Sequence, residues 1–271
     1  MAAGVAAARM LFGDGSDGKD GARTRCVLFD FDGPVCRLFP EGSSIVLADR
    51  LRALVADFGL THLLTGEELN HKDPHLVLRA IHGARWKADP GALGVTDEDL
   101  AAVVDTLERC VTVGEMEAAW SAWPTPDADS FVRRLVGAGL RLAIVTNNSP
   151  LAADLYLRSR GLREHFTVIH GRTADPDLMK PHPDVLLRAL RSLDLPPEAA
   201  VMIGDTPADV EAAARADVRF IGYGRNEAKR ARLRQAGTEV VLEAYAPLSG
   251  ELWERGAHEP GVGAVGEAAR R

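Results

Sequence analysis

Two short apolar runs constrain the fold of this chain more than any other feature. Residues 25–31 (RCVLFDF) and 140–146 (LRLAIVT) each end in polar groups, the pattern of a strand buried on both faces of a parallel sheet. More than a hundred residues separate the two runs, whereas crossover connections in α/β chains are short. A folded insert must therefore lie between them.

Residues 43–123 supply that insert, with helical periodicity and little strand signal. In residues 43–59, Ile45, Leu47, Leu51, Leu54 and Val55 recur near one face and Gly59 provides a stop. Residues 74–83 repeat the pattern, and residues 96–111 open on Thr96 as an N-cap followed by acids that complement the helix dipole. The insert reads as a small all-α domain.

Beyond it, helical and strand patterns alternate. Helices are predicted over 129–137, from Ser149-Pro150, over 183–193, and from Thr206-Pro207 to Arg215; strands over 140–146, 167–170, 200–203, 219–222 and 239–242. This is an α/β chain with a Rossmann-like parallel sheet core, assembled from residues 23–42 and 124–252 around the insert. Residues 1–22, which end in GDGSDGKDG, read as a disordered leader, and residues 253–271 as a flexible tail.

Composition narrows the function. Hydrophobic residues at 46% and charged residues at 26% describe an ordinary globular protein. A net charge of −7 without a long basic run argues against nucleic acid as a partner. Cys26, Cys36 and Cys110 lack metal-ligand spacing, and no apolar run is long enough to span a membrane. A cytoplasmic location is the expectation.

On a parallel sheet, ligands bind beyond the carboxyl ends of the strands. Those ends carry Asp30 and Asp32, Thr146 and Asn147, and Asp205 and Asp209, while Lys180 precedes a helix. A carboxylate attacks a phosphoryl group only when both charges are offset and the two are held in line. Asp30 and Asp205 can share a hard cation, and magnesium suits a site of few carboxylates with phosphate and water. Thr146 offers a hydroxyl and Lys180 a charge to the phosphoryl oxygens. Asp32, two residues after Asp30, can protonate a leaving alkoxide and later deprotonate water. Asp209 can hold a metal-bound water or Lys180, or cap the helix begun at Thr206.

Taken in order, Asp30-Phe31-Asp32-Gly33, Thr146-Asn147, Lys180-Pro181 and Gly204-Asp205-Thr206-Pro207-Ala208-Asp209 resemble the haloacid dehalogenase-like (HAD) superfamily. The resemblance, over residues 25–245, is to its helical-cap, phosphoglycolate phosphatase-like branch. It implies Asp30 as nucleophile, Asp32 as acid and base, and magnesium held by Asp30, Asp205 and the Asp32 carbonyl, with Asp209 in or beside the metal's shell. Thr146, Asn147 and Lys180 would bind the phosphate, and the insert would act as a cap over a small phosphorylated metabolite such as phosphoglycolate or a sugar phosphate. The dehalogenase branch lacks the second acid, so Asp32 favours phosphoryl transfer.

After Gly33 the chain departs from many relatives with Pro34-Val35-Cys36-Arg37, which makes Arg37 a candidate substrate contact. Asn70, His71, Lys72, Arg79, Arg85 and Lys87 are further candidates in the cap. Trp86, Trp120 and Trp123 read as core or hinge packing, and Cys36 as a small buried hydrophobe. The expected protein is a magnesium-dependent phosphatase working through an aspartyl-phosphate, as a monomer or homodimer. A phosphomutase of the same family and a non-catalytic binding protein on this fold are the alternatives.

Overall fold

Four consecutive buried residues, β1 (Cys26–Phe29), form an inner strand of a six-stranded parallel sheet in the computed structural model, which describes residues 2–13, 24–87 and 96–249. On one side of β1 lie β4 (Arg141–Val145) and then β5 (Phe166–His170). On the other lie β6 (Ala200–Gly204), β7 (Arg219–Tyr223) and β8 (Val241–Leu242). The chain thus leaves β1 toward one edge and later returns to its opposite side. Such a reversal opens a crevice above the strand ends. Phe29 is level with Ile144 on one side and Ile203 on the other, so Asp30 leaves the sheet level with Val145 and Gly204, one residue before Thr146 and Asp205.

Alternation along the strands builds a core on each face of the sheet. Val27, Phe29, Leu142, Ile144, Val201 and Ile203 meet Phe131 and Leu135 of α6 (Ala128–Gly137) and Tyr156 and Leu157 of α7 (Pro150–Ser159). Cys26, Leu28, Ala143, Val145 and Met202 meet Val185, Leu186 and Leu190 of α8 (Asp184–Leu193) and Ala212 and Ala213 of α9 (Pro207–Arg215). A fully buried side chain of this kind contributes about 1.5–3 kcal/mol, and a one-residue slip would misplace several at once. The level at which Asp30 leaves the sheet is therefore set by packing.

The insert contains α2 (Ser44–Asp57), α3 (Gly66–Asn70), α4 (Pro74–Lys87) and α5 (Asp97–Ser121), of which α2, α4 and α5 enclose a third core. Leu47, Leu51 and Val55 of α2 meet Val77, Leu78 and Ile81 of α4 and Leu100, Val104, Leu107 and Val111 of α5. A two-stranded antiparallel pair, β2 (Cys36–Arg37) with β3 (Trp123–Pro124), joins the insert to the sheet domain. Ile45, expected on the apolar face of α2, is 37% exposed. Helix α5 continues past the expected end at Val111, because Ala119 is buried in the sheet domain's core and Met116 and Ala118 pack against it. Trp120 is a correction to the expected packing: it is 73% exposed. The side chains of Trp86, Arg85 and Lys87 lie outside the described ones.

The amino terminus is a second correction. Residues expected to lack structure form α1 (Ala2–Phe12), whose Ala7 and Leu11 are buried in the sheet domain's core. Alanine favours the helix, and its small side chain lets the backbone lie close to the core. The Thr24 hydroxyl donates to Met10 O at 2.5 Å and anchors the last turn. Residues 14–22 of the expected leader and the 253–271 tail lie outside the described residues. The polar helix α10 (Glu227–Gln235), capped by Asn226, buries only Leu233 and carries no apolar period to announce it. Among the described residues, no helix is long and apolar enough to cross a membrane.

Candidate active site

Asp30 follows β1 but remains tied to the sheet, its N–H donating to Ile203 O at 2.9 Å. The chain then curls: Val35 and Cys36 N–H both donate to Phe31 O at 3.2 Å, and Gly33 N–H to Cys36 O at 2.6 Å. Gly33 has φ +118, and a Cβ there would stand 2.2 Å from Asp205 Oδ2. Only glycine lets this turn lie against Asp205. The curl carries Asp32 away from Asp30, and the Asp32 carboxylate accepts the Leu38 N–H at 2.9 Å. Burial raises the Asp32 pKa, against the pull of the Leu38 N–H and the Lys229 and Arg225 charges. Such an acid keeps its proton more readily than an exposed one.

Lys180 enters from the loop before α8. Its ammonium donates to Asp30 Oδ1 at 2.8 Å and to Val145 O at 3.0 Å, and pairs with Asp209 Oδ1 at 2.6 Å. Asp209 has a second duty in the first turn of α9. Its Oδ2 accepts from Asp205 N (3.1 Å), Thr206 N (3.0 Å) and Thr206 Oγ1 (2.7 Å). Asp205, Asp209 and Asp30 are all buried, and each offers an oxygen within 4.8 Å of the others. Three carboxylates this close repel unless cations intervene. Lys180 bridges two of them, and the Lys229 ammonium of α10 pairs with the third, Asp205. Burial raises the Asp30 pKa to about 6, Lys180 opposing the rise and Asp209 adding to it. An all-oxygen donor set of three acids is the chemistry that holds a hard divalent cation, so these residues can bind a metal.

All eight residues singled out in the sequence line one cavity of ≈490 Å³: Asp30, Asp32, Arg37, Thr146, Asn147, Lys180, Asp205 and Asp209. Their contacts differ from a simple phosphate cradle. The Thr146 hydroxyl donates to Asn148 Oδ1 at 3.1 Å. The Asn147 amide is engaged by the Lys180 main chain, accepting its N–H at 2.7 Å and donating to its carbonyl at 3.1 Å, so this side chain positions the lysine. The Asp32 carboxyl stands apart from the three clustered acids. Arg37 lies over the Trp123 ring, 4.9 Å from its centroid. Of the cap candidates, His71 and Lys72 reach the cavity; Asn70 bonds Gly66 O within its own helix and Arg79 is exposed.

Sequence reasoning missed five residues near the cavity. His75, Arg225 and Lys229 line it, and Glu115 and Arg172 form a buried ion pair beside it at 3.0 Å. Burial alone would raise the Glu115 pKa, but the Arg172 charge and the His75 hydrogen bond hold it down at about 2. A carboxyl depressed in the folded state stabilises above its unfolded pKa, and that contribution is lost as pH falls. Glu115 therefore contributes fully above the ordinary value of 4.5 and loses its contribution between 4.5 and about 2. Acid titration of stability is expected to be shallower across that window in Glu115→Gln, read as Tm against pH.

Comparison with known proteins identifies a family. The haloacid dehalogenase-like hydrolase family matches residues 24–217. A phosphoglycolate phosphatase of Psychrobacter arcticus is 29% identical over 227 residues, covering 82% of this chain and 93% of that one. A phosphoglycolate phosphatase of Colwellia psychrerythraea is 35% identical over 124 residues, 45% of this chain and 54% of that one. The crystal structure of a CbbY mutant from Rhodobacter sphaeroides in complex with xylulose-(1,5)-bisphosphate has a TM-score of 0.58 at 25% identity, covering 82% of this chain and 95% of that one. With a parallel sheet interrupted by a helical insert and a family match over most of its length, this chain belongs to the haloacid dehalogenase-like hydrolases, in their phosphatase branch.

Proposed function

We propose that this phosphoric monoester hydrolase releases phosphate from a small metabolite carrying a second anionic group, by way of a phosphoryl group held transiently on Asp30. The convergence of Asp30, Asp205 and Asp209 around Lys180 is the observation that carries the reading. Asp30 attacks phosphorus, the ester P–O bond breaks, and the departing alkoxide takes the proton of Asp32. Water then gives a proton to Asp32 and its oxygen to phosphorus, the acyl-phosphate bond breaks, and Asp30 is restored. On binding, Lys180 turns to a phosphoryl oxygen in place of Asp30 Oδ1, and the Thr146 hydroxyl to another in place of Asn148 Oδ1. Magnesium, held by Asp30 and Asp205 with Asp209 in or beside the shell, would offset phosphate charge and so let one anion approach another.

A second anionic group is favoured by the cations on the cavity wall. Arg37, Lys72 and Arg225 line it in addition to Lys180 and Lys229, which the clustered acids already engage. The named relatives point the same way, one acting on phosphoglycolate and another binding a bisphosphate.

The test is phosphate release from phosphoglycolate, sugar mono- and bisphosphates and p-nitrophenyl phosphate, with and without magnesium. We expect magnesium-dependent release, with substrates bearing a second acid preferred about tenfold or more in kcat/KM over p-nitrophenyl phosphate. No release from any member, together with no protection of the chain by magnesium and beryllium fluoride against thermal unfolding, would remove the reading. Isomerised sugar phosphate in place of free phosphate would assign a mutase instead.

A further inference from the structure

Glu115 has no exposed surface, although it lies on an insert helix, and its partners Asn148, Ser149 and Arg172 lie in the sheet domain. Its Oε1 accepts from Asn148 Nδ2 at 2.9 Å and its Oε2 accepts the Ser149 N–H at 2.7 Å, at the mouth of α7. Arg172, just after β5, donates to Glu115, to Glu108 (2.7 Å) and to Thr112 (3.2 Å), three positions along one face of α5. The same guanidinium donates to Asn147 O at 2.9 Å. Residues 147, 148 and 149 are thus all held by one buried pair.

What these bonds control is the edge of the phosphoryl site. A carboxylate only accepts, so Glu115 takes the NH₂ end of the Asn148 amide and leaves its oxygen facing the Thr146 hydroxyl, 3.1 Å away. Asn147, whose carbonyl Arg172 holds, grips the Lys180 main chain on both sides. Two short chains of bonds therefore run from the insert's longest helix, one to Thr146 and one to Lys180. His75, on the cavity wall, bonds the same Glu115 oxygen at 2.9 Å and connects the network to the space a substrate fills.

Holding the insert down would not require charge. A buried ion pair adds little to stability over apolar residues of equal volume, and its distinctive property is directional geometry. Here the direction is toward a loop whose residues carry the chemistry.

We propose that Glu115, with Arg172, is a positioning residue for phosphoryl transfer: the insert supplies the carboxylate that sets residues 146–149, so the phosphate site is complete only when α5 is seated on the sheet domain. The proposal rests on the reading of Thr146 and Lys180 as phosphoryl-binding groups. Substrate contact at His75 and the order of the phosphate loop are then coupled through one side chain.

The experiment compares Glu115→Gln, Glu108→Gln and Thr146→Ala in the full chain with magnesium, measuring Tm, kcat and KM for p-nitrophenyl phosphate, and Ki for inorganic phosphate. The amide introduced by Glu115→Gln would present an NH₂ group to donors, so loop placement fails. We expect kcat/KM to fall about 10²-fold and the phosphate Ki to rise about tenfold. Glu108→Gln touches the same arginine but no loop atom, and its kinetic constants stay within about twofold while Tm falls. Constants unchanged in Glu115→Gln, or an equal loss in both glutamine variants, overturn the proposal. If Thr146→Ala leaves the phosphate Ki unchanged, the underlying reading of the loop fails instead. Should Glu115→Gln not fold, Asn148→Ala breaks the link from the core side, with the same loss expected and unchanged constants overturning the idea.

Discussion

Replacing Asp30 by asparagine is expected to lower kcat for p-nitrophenyl phosphate by about 10⁴-fold or more, the scale on which removal of a covalent nucleophile acts. The amide has the size of the carboxyl and can still accept from Lys180, so the loss is chemical and not a failure of folding. Stability moves the other way. Asp30 is crowded against Asp205 and Asp209, and burial already raises its pKa to about 6. Deleting its charge relieves the cluster, so the metal-free variant should melt no lower than the parent. A variant with parental turnover would remove Asp30 from the mechanism; one that melts far lower would contradict the crowding argument.

Lys180→Met has the second largest expected effect, and it combines activity with stability. Burial works against the Lys180 charge, but Asp209 and Asp30 raise its pKa above the ordinary value, so the side chain stays an ammonium at neutral pH. Methionine keeps the volume and leaves two buried carboxylates without their cation. Breaking a buried pair in this way costs about 3–5 kcal/mol. The sign with pH follows from Asp30. Its folded pKa is above 3.8, so its favourable contribution is present in acid and is lost as pH rises through about 6. Without Lys180 that pKa rises further, so the variant's deficit in Tm should be smallest near pH 5 and grow toward pH 8. A deficit independent of pH would mean the lysine acts through packing and not through charge. Phosphate release should fall at every pH in that range.

Much of this site was legible because each part sits on a local signal. A strand buried on both faces reads as an apolar run, and the polar residue that ends it is visible by contrast, as at Asp30, Thr146 and Asp205. Thr206-Pro207 marks a helix start, which placed Asp209 in the first turn of α9. Glu115 and Arg172 had no such signal. They pair across 57 positions, and a single acid on an amphipathic helix looks like a solvated charge. What hides it is that α5 changes neighbours along its length, from the insert's core to the sheet domain. Lys229 was invisible for a related reason: α10 buries only Leu233 and carries no apolar period, and its contact with Asp205 comes from the turn of the chain after β7. The amino-terminal helix was hidden by composition, since alanine and glycine build a close contact without an apolar stripe.

The pairing of β2 with β3 has a consequence for how such a protein diversifies. The insert leaves and rejoins the sheet domain through adjacent hydrogen-bonded strands, with Cys36 opposite Pro124. Its two ends therefore stand within about one strand spacing of each other. A foreign bundle with closely spaced termini can replace it without altering the sheet, as modular exchange requires. A graft of that kind would discard Glu115 together with the native helices, so a working chimera must also bring an acid that reaches Asn148 and the Ser149 N–H ahead of α7.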